Sequence, residues 1–226
     1  SENLNEINVY ESSAGVSFEN VPHDLDKFSV QGTQTGDWEI AYTANADASP
    51  IINWTNNTGA PVILTKVSFD EISSFSLLSD GSDSINLSSL VLDSNDTTAL
   101  NFSNTNDGDL VIASGVNINS ADAIKMMNIN TSAGGAIKIG SAADSFGIDD
   151  ASKLSTLVLR ASETGVIEVG DLGSTTALED LHTMVVESKG ADILIGKIQA
   201  QSVGNFSFSL AKSTNFSSGN FDFSSP

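Results

Sequence analysis

One spacing of apolar residues returns along nearly the whole chain. It runs apolar-x-x-apolar-x-apolar, then a polar gap that usually contains glycine, then apolar-x-apolar. Leu154, Leu157 and Leu159, followed by Ile167 and Val169, form its clearest copy. Leu181, Met184 and Val186 with Ile193 and Ile195 form another, as do Ile124, Met127 and Ile129 with Ile137 and Ile139. Earlier copies are Leu4, Ile7, Val9; Leu25, Phe28, Val30 with Trp38 and Ile40; and Ile72, Phe75, Leu77 with Ile85 and Leu87. Alternation with period two puts the apolar side chains of each run on one face of an extended strand. The gaps, such as Ser-Ser-Ala-Gly15, Ala-Gly-Gly135, Ser-Glu-Thr-Gly165 and Ser-Lys-Gly190, hold residues that turn a chain. Glycine reaches positive φ, while Ser, Asn and Asp bond nearby backbone groups.

Each copy therefore reads as strand, turn, strand. Such a unit cannot bury its apolar face alone, and stacking on its neighbours is the usual solution. The copies starting at Leu154, Leu181 and Val203 lie 27 and 22 residues apart, about one coil each. The gaps lack the two-residue Asn-Gly or Asp-Gly loops of tight hairpins. The expected fold is all-β, a right-handed parallel β-solenoid (β-helix) of irregular coils with loop insertions. Residues 1–226 are expected to form a single solenoid segment, a fragment of a larger surface protein. Insertions are expected near 44–60, where Trp54 would sit in a loop, and near 103–120. The stretch 144–150 also reads as a loop. Single helical turns are expected at Ala177–Leu181 and Ala121–Met126. Leu157, Leu159, Met184, Val186, Phe206 and Phe208 are expected in the interior.

Charge excludes some functions. The chain carries 29 acidic and 9 basic residues, a net charge of −20, and Arg160 is its sole arginine. A field of this sign repels phosphate backbones and anionic lipid surfaces, so neither nucleic acid nor membrane is an expected partner. Salt or divalent cations would relieve the self-repulsion. Without cysteine there is no disulfide, thiolate metal site or thiol nucleophile. No run approaches the roughly 20 apolar residues of a membrane helix.

The residues give no positive sign of catalysis. His23 and His182 lack partners at metal-ligand spacing, and no Gly-x-Ser-x-Gly nucleophile motif occurs. The expectation is that the chain is not an enzyme. Acidic pairs are the better candidates: Asp80 with Asp83, Asp107 with Asp109, and Asp149 with Asp150. Calcium takes several oxygen ligands, often carboxylates in turns, and Asn104-Thr-Asn-Asp-Gly-Asp109 comes nearest to such a loop. Carboxylate pairs also hydrolyse glycosidic bonds, which keeps a carbohydrate-binding or polysaccharide-cleaving module as the alternative.

Leu154-Ser-Thr-Leu157-Val-Leu159 through Gly165-Val-Ile167-Glu-Val169, with Leu178-Glu-Asp-Leu181-His-Thr-Met184, resembles the coil units of RTX-type bacterial surface-layer (S-layer) proteins and related large secreted adhesins. Those proteins are cysteine-free, acidic, Ser/Thr/Asn-rich parallel β-solenoids. The resemblance implies an extracellular, cell-surface structural protein whose assembly depends on calcium. Its partners would be further copies of itself, the rest of a larger surface protein, or cell-surface glycan. The chain departs from the family in lacking its nonapeptide calcium repeats, so no ligand residue transfers from it.

Overall fold

The computed structural model describes residues 6–12, 16–21, 27–34, 37–42, 51–56, 62–64, 66–70, 74–80, 84–87, 90–93, 99–118, 125–140, 148–149, 153–172, 178–179, 181–211, 214–218 and 221–222. Every regular element among them is a strand. In chain order these are β1 (Glu6–Ser12), β2 (Val16–Val21), β3 (Lys27–Gln34), β4 (Asp37–Tyr42), β5 (Ile51–Asn56), β6 (Val62–Leu64), β7 (Lys66–Asp70) and β8 (Ser74–Ser79). Then come β9 (Ile85–Leu87), β10 (Leu90–Asp93), β11 (Ala99–Asn104), β12 (Leu110–Ile112), β13 (Val116–Ile118), β14 (Met126–Thr131), β15 (Ile137–Ile139) and β16 (Ile148–Asp149). The last are β17 (Thr156–Ala161), β18 (Ile167–Val169), β19 (Leu181–Ser188), β20 (Ile193–Ile195), β21 (Ile198–Gln199), β22 (Val203–Leu210), β23 (Phe216–Ser218) and β24 (Phe221–Asp222).

These strands stack into parallel ladders. The first face runs β1-β3-β5-β8-β11-β14-β17-β19-β22. The second runs from the end of β3 through β6-β9-β12-β15-β18-β20-β23. The third runs β2-β4-β7-β10-β13-β16, and β21 pairs with β24 further along. This is a parallel β-solenoid: each strand pairs with its equivalent one winding away, and no described pairing is a hairpin.

Like residues lie over like. Phe75 is in register with Leu100, then Met127, Leu157, Met184 and Phe206, at steps of 25, 27, 30, 27 and 22 residues. Leu77, Phe102, Ile129, Leu159, Val186 and Phe208 form the neighbouring column. The second face adds Ile85, Leu110, Ile137, Ile167 and Ile193, all fully buried. Leu90, Val116, Leu172 and Ile198 close the third side of the same core. Burying one such side chain stabilises by about 1.5–3 kcal/mol, so the shaft is the main source of stability. Phe75 and Phe102 touch with ring centroids 6.2 Å apart.

Several expectations need correction, and one needs an addition. The strand-turn-strand unit is part of each winding, and the better described windings add a third strand to it. The third strand is short: Leu87 closes the second face, Leu90–Asp93 forms the third, and Leu100 opens the first face of the next winding. Trp38 and Ile40 likewise lie on the third face, in β4. The segment 44–60 is not one extruded loop, because Ile51–Asn56 is a rung between β3 and β8, with Trp54 in register with Phe28 and Leu77. Within 103–120, β12 and β13 are rungs as well, and what read as insertion is two corner turns around short strands. Ile148 and Asp149 form β16 rather than a loop. Asn, Gly and Ser mark loops and tight corners alike, which is why these strands were hidden.

The expected helical turns are not helices where they are described. Met126 lies in β14, Leu178 bridges to Ala200, and Leu181 opens β19. Residues 121–124, 177 and 180 lie outside the described set. Phe206 and Phe208 occupy interior columns but remain 37% and 46% exposed, because among the described residues no strand pairs with the far edge of β22.

Candidate functional site

The corner between the first and second faces holds the densest polar chemistry of the described residues. Strands β8, β11, β14, β17 and β19 each end there on a buried position that turns inward. Ser79, Asn104, Thr131 and Ser188 occupy that position in their windings, and all four are buried. Ser79 is in register with Asn104, and Asn104 with Thr131. Ala161 holds the same place between Thr131 and Ser188.

A buried polar group is costly unless bonded, and these are bonded to turn residues of their own or the next winding, Ser79 Oγ accepting from Asn106 Nδ2 at 2.9 Å. Asn104 Nδ2 donates to the carbonyl oxygens of Gly108 at 2.8 Å and Ala136 at 3.2 Å, while its Oδ1 accepts from Asn106 N–H at 3.1 Å. Thr131 Oγ1 donates to Gly165 O at 2.8 Å and accepts from Ser162 N–H at 3.1 Å. Ser188 Oγ donates to Ala191 O at 2.6 Å and accepts from Gly190 N–H at 3.1 Å. Three of these bonds, with Ala136, Gly165 and Ser162, cross to the next winding. The column thus folds each turn and fastens it to its neighbour.

Gly135 packs into this corner with no room for a side chain. A Cβ there would lie 2.6 Å from Asn104 Nδ2 and 2.7 Å from Asn106 O, and closer still to Gly108 O. At the next corner, Gly115 turns the chain toward the third face with φ 77°, a left-handed conformation that favours glycine.

The predicted acidic ligands fall into three groups. Asp107 and Asp109 share the Asn104–Asp109 turn. Asp107 Oδ1 accepts from Gly134 N–H at 3.2 Å, and Asp109 Oδ1 accepts from Ala136 N–H at 2.9 Å. Asp109 Oδ2 also lies 3.7 Å from Lys138 Nζ. Both carboxylates therefore reach backbone donors of the following winding. Asp80 is exposed at the preceding corner, directly after Ser79. Asp83, Asp150 and the side chain of Asp149 lie outside the described residues. Among the described residues, no three His, Asp or Glu side chains come together as a metal-binding group. His182 is exposed, and His23 lies outside the described set.

Beside the same corner, a groove of about 330 Å³ runs across four windings. Asn130 and Ser132, Arg160 and Ser162, Glu187 and Lys189, and Ser209 line it. Arg160 Nε donates to Glu187 Oε2 at 2.7 Å across adjacent strands, and the two side chains are 49% and 45% exposed. On the outer side of the first face, Asn128 Nδ2 donates to Asn101 Oδ1 at 2.8 Å and Asn101 Nδ2 to Ser76 Oγ at 3.1 Å. These ladders offer donors and acceptors in a repeating row, a surface suited to hydroxyl-rich ligands or to another polar face.

The polar corner column and the groove were not read from the spacing. A signal was present: Phe102-x-Asn104, Ile129-x-Thr131 and Val186-x-Ser188 each put a small polar residue two places past the last apolar one, with glycine following within four. No protein-family model, curated protein or solved structure matches the chain.

Proposed function

We propose that the chain is a structural, non-catalytic segment of a cell-surface protein, of the S-layer, fibre or adhesin kind, working outside the cell. The observation that carries this reading is where the polar side chains go. Asn104, Thr131, Ser188, Asp107 and Asp109 all bond turn backbone, and all five tie one winding to the next, Ser188 through the Thr214 hydroxyl. Chemistry of that kind holds a rod together, and repetition gives it identical outer faces for assembly. Assembly would proceed by lateral or end-to-end contacts with further copies, or with the rest of a larger surface protein. Calcium would aid it by bridging acidic faces that otherwise repel, since a net charge of −20 opposes close approach. The resemblance to RTX-type surface-layer coils supports the same reading.

Electron microscopy of the purified chain with calcium and with chelator tests this. Sheets or filaments that appear with calcium are the expected result. Monodisperse particles under both conditions count against assembly by this segment.

The groove along Asn130, Arg160, Glu187 and Ser209 favours one alternative, a carbohydrate-binding or polysaccharide-cleaving module. Saturable binding or turnover on a polysaccharide panel would establish it.

A further inference from the structure

We propose that the groove beside the first corner holds one strand of an uncharged glycan, laid parallel to the solenoid axis with one sugar to each winding, and does not cleave it. The inference rests on the carbohydrate alternative above and gives that site its ligand class and direction.

Three observations lead there. The first is shape. Thr131, Ala161 and Ser188, the buried last positions of β14, β17 and β19, form the floor. One wall is the row just before them: Asn130 is in register with Arg160, Arg160 with Glu187, and Glu187 with Ser209. The other wall is the row just after them, Ser132, Ser162 and Lys189. Floor and walls repeat rung by rung, so the trough runs along the solenoid axis. Rungs lie about 4.8 Å apart, and four of them span about 14 Å. A pyranose unit in an extended chain advances by nearly the same distance, so successive sugars meet equivalent walls. An extended peptide falls out of step, because its like-facing side chains recur about every 6.6 Å.

The second is unused hydrogen-bonding capacity. On the neighbouring outer column the amides are spent on each other, Asn128 donating to Asn101 and Asn101 to Ser76. In the trough they are not. Among the described residues, the half-buried Asn130 amide and the Lys189 ammonium bond no other group, and Arg160 gives only Nε, to Glu187 Oε2. The Arg160 Nη groups and Glu187 Oε1 stay available. Donors and acceptors mixed in this way along a concave site suit neighbouring hydroxyls of a sugar, each of which both donates and accepts. The Thr131 and Ser188 hydroxyls are already bonded to turn backbone, so recognition falls to the walls.

The third is charge. Among the described residues lining the trough, two cations, Arg160 and Lys189, accompany one carboxylate, Glu187. The trough therefore lacks the strong negative charge of the chain as a whole, while a net −20 repels a polyanion at long range. An uncharged strand meets the least opposition. The lone carboxylate also argues against cleavage, since hydrolysis of a glycosidic bond commonly takes a flanking pair.

The test is isothermal titration calorimetry of the full chain with uncharged linear oligosaccharides, the cello-, manno- and chito-series from dimer to hexamer, beside oligogalacturonates as charged probes. At least one uncharged series should bind, with affinity rising about tenfold from dimer to tetramer and levelling thereafter, because four rungs meet four sugars. Sodium chloride at about 1 M should change that affinity less than about twofold. Asn130→Ala with Arg160→Ala should weaken binding about tenfold or more, whereas Lys138→Ala on the second face should leave it unchanged. Circular dichroism and a thermal melt check that the double substitution folds. Glu187→Gln, which keeps the shape of the side chain, carries the test if it does not, with a loss of about threefold or more expected. Affinity that survives these trough substitutions overturns the trough as the site yet leaves a carbohydrate module standing. Binding confined to oligogalacturonates overturns the uncharged class, and shortened products after incubation overturn a site that only binds. A chain that binds none of the series overturns this inference and the carbohydrate alternative together, and leaves the structural reading in place.

Discussion

Asn104 shows how one side chain can fold a corner. It satisfies two carbonyl oxygens and one N–H, and one of its partners, Ala136, belongs to the next winding. Asn104→Ala takes this partner from Gly108 O and Asn106 N–H, while Ala136 O keeps its bond from Leu110 N–H, so stability should fall by about 1–3 kcal/mol in urea unfolding. An unchanged midpoint would mean that water replaces the amide. Gly135→Ala should be worse still, since its Cβ would press on backbone oxygens of the Asn104–Asp109 turn. Destabilisation of about 2–4 kcal/mol is expected, with loss of soluble protein at elevated temperature as a second readout. The turn character of this stretch was readable from Asn, Asp and Gly. The buried, inward-facing role of Asn104 was not, because a polar residue after a strand looks like any solvated turn until the neighbouring winding covers it.

At the scale of elements, the ladders divide into a dry side and a wet side. Phe102 is 1% exposed and contacts Phe75 from the preceding rung. Phe102→Ala should cost about 3–5 kcal/mol through lost burial and the cavity left behind, measurable as a lowered urea midpoint. Arg160→Ala on the outer face should cost at most about 1 kcal/mol, because its pair with Glu187 is half exposed and competes with water. A large effect from Arg160→Ala would show that the groove side chains hold the windings together. Strands were legible where their apolar alternation fell in step with the repeat, as in β8, β14, β17 and β19. Strands β5, β12, β13 and β16 read as loop, because Asn, Asp, Ser and Gly crowd around them. Length does not separate the two groups, since the legible β15, β18 and β20 are no longer than β12 or β13.

For the whole molecule, a net charge of −20 works against the core. Raising sodium chloride toward 1 M shortens the screening length to about 3 Å and should raise the melting temperature by a few degrees, in line with a gain of about 1 kcal/mol. Calcium chloride at matched ionic strength separates screening from binding. A further rise with calcium supports a specific site at an acidic corner such as Asp107 and Asp109, while equal melting points assign the whole effect to screening.

Stacked parallel windings follow from the apolar spacing alone. Period-two alternation repeated at one coil's length leaves each unit with an apolar face that only an equivalent unit can cover. Tertiary structure decided what the spacing leaves open: three faces to a winding, rungs inside 44–60 and 103–120, and a polar column inside the corner. The reason is that local pattern reports which way a side chain points along its own strand. Whether that direction meets water, a neighbouring turn or an open end depends on the winding above it, some 22 to 30 residues away.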